Sequence, residues 1–172
     1  MNRLSLMLAV ATAMLVSACV TSHPMTAEEF RVAVRPGTFS AEFESFEVDR
    51  PFEDVAAAFQ SRAPDCLSGR VKTTSQTNMS YQVIVTNYTP TVQVSTERAE
   101  IHLQQHHEQG VLKVTEEPDG GYYMLVADAY PLGDSRTRIE MFRPAFGYKH
   151  VIQAIRNWAT GDNMGCPDLT KT

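Results

Sequence analysis

Apolar and polar positions alternate along this chain with two different periods, and the switches between them mark out its elements. From Phe39 to Val48 the apolar residues Phe39, Ala41 and Phe43 fall at every second position. The register then shifts to Phe46 and Val48, as in a strand carrying a bulge. Phe52, Val55, Ala56, Phe59 and Ala63 recur at helical spacing, in a stripe that Pro51 opens and Pro64 closes. Glu53 and Asp54 sit in its first turn, where the helix dipole favours negative charge. Beyond Gly69 the chain is rich in Val, Thr, Tyr and Ile and is cut by short turn-forming clusters. This predicts five or six strands: a weak one over 70–75 and stronger ones over 79–88, 91–107, 111–116, 122–130 and 135–143. The breaks at Thr89-Pro90, at 108–110, at 118–121 and at 131–134 are short enough for hairpins, which makes an antiparallel meander. Val83 and Val85, Ile101 and Leu103, and Ile139 and Met141 keep the two-residue period of a sheet with one buried face. Tyr148, Val151, Ile152, Ile155 and Trp158 predict a closing helix over 147–160, stopped by Gly161. Strand, helix, antiparallel strands and helix together make an α+β domain over 39–172.

The amino-terminal segment follows another logic. Arg3 precedes an apolar run from Leu4 to Val16, and small residues continue to Ala18. These are the three parts of a secretory signal. A run of 13 residues is shorter than the ~20 that a membrane-spanning helix requires. Val16-Ser17-Ala18-Cys19 resembles a bacterial lipobox, in which the cysteine is acylated through sulfur and becomes the new amino terminus. The resemblance implies a lipoprotein signal peptide over 1–18, lipidation at Cys19 and a lipidated tether over 19–38. An ordinary signal peptide ending at a chance cysteine is the alternative. Each buried methylene of an acyl chain contributes about 0.8 kcal/mol, so two or more chains hold a protein durably where one is marginal. In such lipoproteins an aspartate after the cysteine signals retention in the inner membrane. Val20 at that position implies the outer membrane, with the domain facing the periplasm. Within the tether, Thr26 and Glu29 are spaced as a capping box ahead of Phe30, Val32 and Val34, and Arg35-Pro36-Gly37 ends the short helix.

The remaining cysteines, Cys66 and Cys166, are an even pair in an exported chain and predict a disulfide. Two buried free thiols are the alternative. Neither cysteine has an adjacent basic residue to depress its pKa, which argues against a catalytic thiolate.

Composition narrows the field further. With 172 residues, 43% of them hydrophobic and 20% charged, the chain supports one ordinary core and is not a disordered or polytopic membrane protein. A formal charge of -5 disfavours nucleic acid as a partner. His102, His106 and His107 invite a metal reading, but on a strand His102 and His106 stand about 13 Å apart. No cysteine or Asp-rich segment adjoins them in sequence, so the segment reads as a solvated sheet face, and neither metal nor cofactor is expected. The mature chain has no Gly-x-Ser-x-Gly elbow, no Ser-x-x-Lys and no glycine-rich phosphate loop. Asp128, inside the apolar run from Tyr122 to Tyr130, is the one carboxylate whose setting suggests a perturbed pKa. An edge or bulge position beside Arg136 or Arg138 is the competing reading.

The junction from Phe46 to Val55, Phe-Glu-Val-Asp-Arg-Pro-Phe-Glu-Asp-Val, is similar to the opening of the START and polyketide cyclase-like helix-grip superfamily. So is the order of elements over 39–160. The resemblance implies a curved sheet gripping the last helix, with a cavity that in many relatives holds an apolar ligand. The chain departs from that pattern in lacking a second short helix after the first and in a closing helix of only 14 residues. Under this implication Met124, Met141, Tyr148, Ile152 and Trp158 are the candidate ligand contacts, although such residues more often simply fill a core. The expectation is a noncatalytic, lipid-anchored envelope protein that carries or senses a small apolar molecule. The alternative is an accessory subunit that docks an envelope protein. No acid and base stand at a spacing that supports an enzyme.

Overall fold

The computed structural model describes residues 23–37, 39–76, 81–108, 117–162 and 165–171. The signal segment expected over 1–18, Cys19 and the strand expected over 111–116 therefore lie outside the described residues. The elements run α1 (Ala27–Val34), β1 (Ala41–Val48), α2 (Phe52–Leu67), β2 (Gly69–Gln76), β3 (Tyr81–Val94), β4 (Ala99–His107), β5 (Tyr122–Leu132), β6 (Arg136–Pro144) and α3 (Lys149–Thr160). A 3-10 turn at Leu169–Lys171 follows. The six strands form one antiparallel sheet in the order β1-β6-β5-β4-β3-β2, an α+β meander consistent with a helix-grip-like layout.

α2 and α3 pack together on one face of this sheet. Phe59, Leu67, Ile101, Leu103, Leu125, Ile139, Met141 and Ile155 are wholly buried there, each contributing about 1.5–3 kcal/mol of apolar burial. Arg50 ties the β1–α2 junction to the far end of α3, donating from Nη1 to the Trp158 carbonyl at 2.7 Å. Gly161 closes α3 in the left-handed conformation (φ 90°), as a glycine C-cap does. Cys66 in the last turn of α2 is disulfide-bonded to Cys166, and Leu169 packs against the core just beyond it.

Four expectations are corrected. α2 does not end at Pro64 but runs on to Leu67. A proline so close to the end of a helix forfeits a single backbone bond, and the burial of Cys66 and Leu67 with the disulfide holds the last turn. β3 does not break at Thr89-Pro90; the turn lies at Ser95–Arg98, closed by the Ser95 N–H on the Arg98 carbonyl at 2.8 Å. Parity explains why the proline is tolerated. The Glu108 N–H bonds the Val85 carbonyl, its partner across the ladder, so odd-numbered residues of β3 bond toward β4 and even-numbered ones face outward. β2 stops pairing at Gly69↔Tyr88, so among the described residues the outward edge at Pro90 has no strand to donate to. β1 carries no bulge, because it pairs with β6 residue by residue from Ala41↔Pro144 to Val48↔Thr137.

The shift from Phe43 to Phe46 has a different cause, and it leads to the fourth correction. The sheet is covered on both faces at its centre, not on one. Phe46 and Val48 join the core under α2 and α3, whereas Ala41 and Phe43 join Val126, Phe142 and α1 on the opposite face. In consequence β4 is buried at every position from Ala99 to Gln104.

The loop into β5 turns on Gly121, whose φ of +105° excludes an ordinary side chain and whose hypothetical Cβ would sit 2.3 Å from the Gln105 carbonyl oxygen. Gly121→Ala is expected to destabilise the domain by about 1–3 kcal/mol in urea titration. A loss inside a few tenths would show that the Gln105 strand end yields freely.

Candidate functional site

α1 is short, yet a charge network rather than apolar area alone docks it. Thr26 caps it, its Oγ1 accepting from the Glu29 N–H at 3.1 Å, while Glu29 accepts from the Met25 N–H at 2.7 Å. Ala27, Phe30, Arg31 and Val34 share the helix face turned to the sheet, so an arginine occupies a position that helical spacing assigns to the core. Its guanidinium meets Asp128 of β5 bidentately, Nε to Oδ2 and Nη2 to Oδ1, both at 2.7 Å. The Arg31 Nη2 also donates to Glu100 of β4, and Nη1 reaches Glu28 at 3.2 Å. Arg98 pairs with the other Glu100 oxygen at 2.7 Å. The Nε2 of His102 lies 3.0 Å from Glu100, and since a carboxylate only accepts, that nitrogen carries the hydrogen.

Burial sets the electrostatics. The Asp128 side chain is fully buried, and this desolvation pushes its carboxyl above the usual value against the pull of Arg31. Burial would also raise Glu100, but hydrogen bonds from His102 and Arg31 and the charges of Arg31 and Arg98 bring it below the ordinary range. For Arg31, desolvation works to lower the pKa, and Asp128 and Glu100 together outweigh it, so its charge is held more firmly than in water. The two buried carboxylates are thus matched by two guanidinium groups, and Arg31 is bonded on all three of its nitrogens. Such a cluster fastens an element; it offers no open position to a substrate.

The sequence candidates are distributed as follows. Asp128 does carry the perturbed pKa, but it sits in a central strand and pairs with Arg31, not with Arg136 or Arg138, which turn to Glu47 and Glu140. His102 is buried in the cluster rather than solvated, because α1 covers its face of the sheet. His106 meets Glu117 at 2.7 Å and His107 meets the Thr86 hydroxyl at 3.0 Å, so the three histidines have separate partners. Among the described residues no three potential ligands converge on a metal position.

Met141, Ile152 and Trp158 are packed into the core beneath α2 and α3, with Tyr148 against its margin. The Tyr148 hydroxyl donates to Gln105 at 2.7 Å, and burial raises its pKa. Met124 is separated from these four. A bulge at Leu103/Gln104 leaves it opposite no residue of β4, and it lines a recess of about 110 Å³ beside Phe30 and Val34 on the α1 side.

Sequence reasoning missed Arg31, Glu100 and Arg98. The signal was present in Arg31, a charge on the apolar face of a capped helix. It also missed an open groove of about 510 Å³ between α2 and the end of β3, lined by Phe52, Ala56, Ala57, Gln60, Val94 and Thr96. The groove reaches β3 at Val94, the last residue of a stretch beyond Tyr88 where, among the described residues, no strand pairs on the outer side. Thr89, Thr91, Gln93 and Val94 are exposed there. An unpaired strand edge with an apolar trough next to it has the chemistry to receive an extended peptide: main-chain bonds along the edge and side-chain pockets alongside. No known protein family matches this chain, and no curated protein matches it in sequence.

Proposed function

We propose that this protein is a noncatalytic, lipid-anchored envelope protein that docks an extended segment of a partner protein along the outer edge of β3. The anchor rests on the lipobox at Cys19, and the outer membrane on Val20. The observation that carries docking is that the β3 edge, unpaired beyond Tyr88 among the described residues, ends in the groove at Phe52, Ala56 and Val94. By the parity of the ladder, Val94 points its N–H outward and contributes no bond to β4. Val94→Pro therefore removes an outward donor with little effect on stability. A photo-crosslinking side chain at Thr96 of the full chain in intact cells is expected to give one discrete adduct, which Val94→Pro abolishes. Adducts that ignore Val94→Pro, or none at all, sink the reading.

A second reading, carriage of a small apolar molecule under α3, is favoured by one observation. The Trp158 indole N–H is buried and meets no acceptor among the described residues, an arrangement that normally costs about 1–3 kcal/mol. Met141, Ile152 and Trp158 fill the space around it, which gives the docking reading the stronger support. Mass spectrometry of organic extracts from the purified chain decides the point: a stoichiometric small molecule reverses the order of the two readings.

A further inference from the structure

Two of the largest exposed apolar side chains stand together. Phe39 and Phe146 are 89% and 65% exposed, yet their rings lie 5.5 Å apart with a 54° tilt, so they form one aromatic knob. The backbone beneath is tied, since the Ala145 N–H bonds the Ser40 carbonyl at 3.0 Å just past the last β1–β6 rung, Ala41↔Pro144. The first described residue lies at the same end of the sheet. The His23 ring is 5.0 Å from that of Tyr122, the first residue of β5. Tyr123 and Met124 next to it share a recess with Ser40, Ala41 and Pro144. Met25 is exposed close by in sequence, and Lys149 is exposed three residues after Phe146. The acidic residue nearest in β1, Glu42, is paired with Arg143 at 3.0 Å.

We propose that the Phe39–Phe146 knob is a membrane-contact surface that seats this end of the domain on the phospholipid layer holding the acyl chains of Cys19. The inference rests on the anchor reading and deepens it by fixing which end of the domain faces the lipid. His23 is four positions after Cys19, a stretch that fully extended spans at most ~14 Å. So short a link holds the knob near the headgroups at high effective concentration, so that a contact too weak to recruit the protein alone is populated. Aromatic rings are at home at that depth, and a neighbouring lysine suits anionic headgroups. The seated domain turns the β3–β4 turn, at the other end of the sheet, away from the membrane and toward partners.

The test uses the full acylated chain in vesicles of phosphatidylethanolamine and phosphatidylglycerol, with and without brominated acyl chains. Phe146→Trp and Phe39→Trp are each compared with the parent, whose only tryptophan is the buried Trp158. Val94→Trp reports on the opposite end. The expected result is a blue shift and bromolipid quenching for the tryptophans at 146 and 39, and no added quenching at 94. An acylated chain with unquenched tryptophans at 146 and 39, or with equal quenching at 94, overturns the membrane contact and leaves the anchor standing. A blue shift without bromolipid quenching identifies a second protein surface as the occupant and also overturns it. An unacylated Cys19 in the intact mass overturns both readings.

Discussion

Replacing Arg31 with methionine is expected to lower the unfolding free energy by about 3–5 kcal/mol, the penalty for leaving buried carboxylates without their counter-charge. Methionine retains the apolar length of the arginine stem, so the loss is chiefly electrostatic. Asp128 bears most of it, being fully buried and bonded to Arg31 through both oxygens. Glu100 is cushioned by Arg98 and His102. Urea titration of the single variant, set beside Arg31→Met/Asp128→Leu, separates the terms. The double variant should regain much of the loss, because replacing both members of a buried pair is far cheaper than orphaning one. A single-variant loss below about 1 kcal/mol would mean that water reaches Asp128 once the guanidinium is gone. In that case α1 is not fastened by charge.

Removal of the disulfide should have an effect of similar size through another mechanism. Cys66 and Cys166 are 100 residues apart, and on the chain-entropy account a crosslink over that span contributes about 4–5 kcal/mol by restricting the unfolded chain. The Cys66→Ser/Cys166→Ser variant is expected to melt roughly 8–20 °C below the parent in thermal scans. The parent in excess reductant should melt with it. Locally, the tail carrying Leu169 loses its covalent hold, and the last turn of α2 beyond Pro64 loses the clamp that keeps it helical. Coincident melting of the oxidised and reduced parent would show that Leu169 packing alone keeps the tail in place.

The elements legible in the sequence were those whose side chains face one uniform environment. α2 and α3 each carry a single apolar stripe against a single core, and the stripe marks each helix to within a few residues. The strand over 122–130 is legible because its centre is apolar at almost every position. Errors arose where a local signal was outweighed by a contact distant in sequence. Pro90 reads as a turn, but its tolerance depends on β2 beginning only at Gly69, whose partner is Tyr88. The change of register in β1 looks like a bulge until α1 is seen to cover one half of the strand and α2 with α3 the other. Asp128 stands out in its apolar run, but its partner lies 97 positions away on a helix that reads as part of a tether. The β3 edge with its groove left no trace in any single segment, since it exists only where a helix and a strand come together.

The position of α1 also determines how the domain responds to being pulled. Tension applied at His23 reaches α1 before any strand, because the chain enters β1 only at Ala41. β1 is an edge strand, and a pull on its Ala41 end would open the β1–β6 ladder from the Ala41↔Pro144 rung, one rung at a time. Peeling of that kind resists little force, since a single pair of residues bears the load at each moment. The Arg31 cluster lies upstream of the ladder and anchors α1 to β4 and β5, strands in the interior of the sheet. It acts as a strain relief: load arriving along the amino-terminal segment is transferred to the middle of the domain, and its weakest seam is spared.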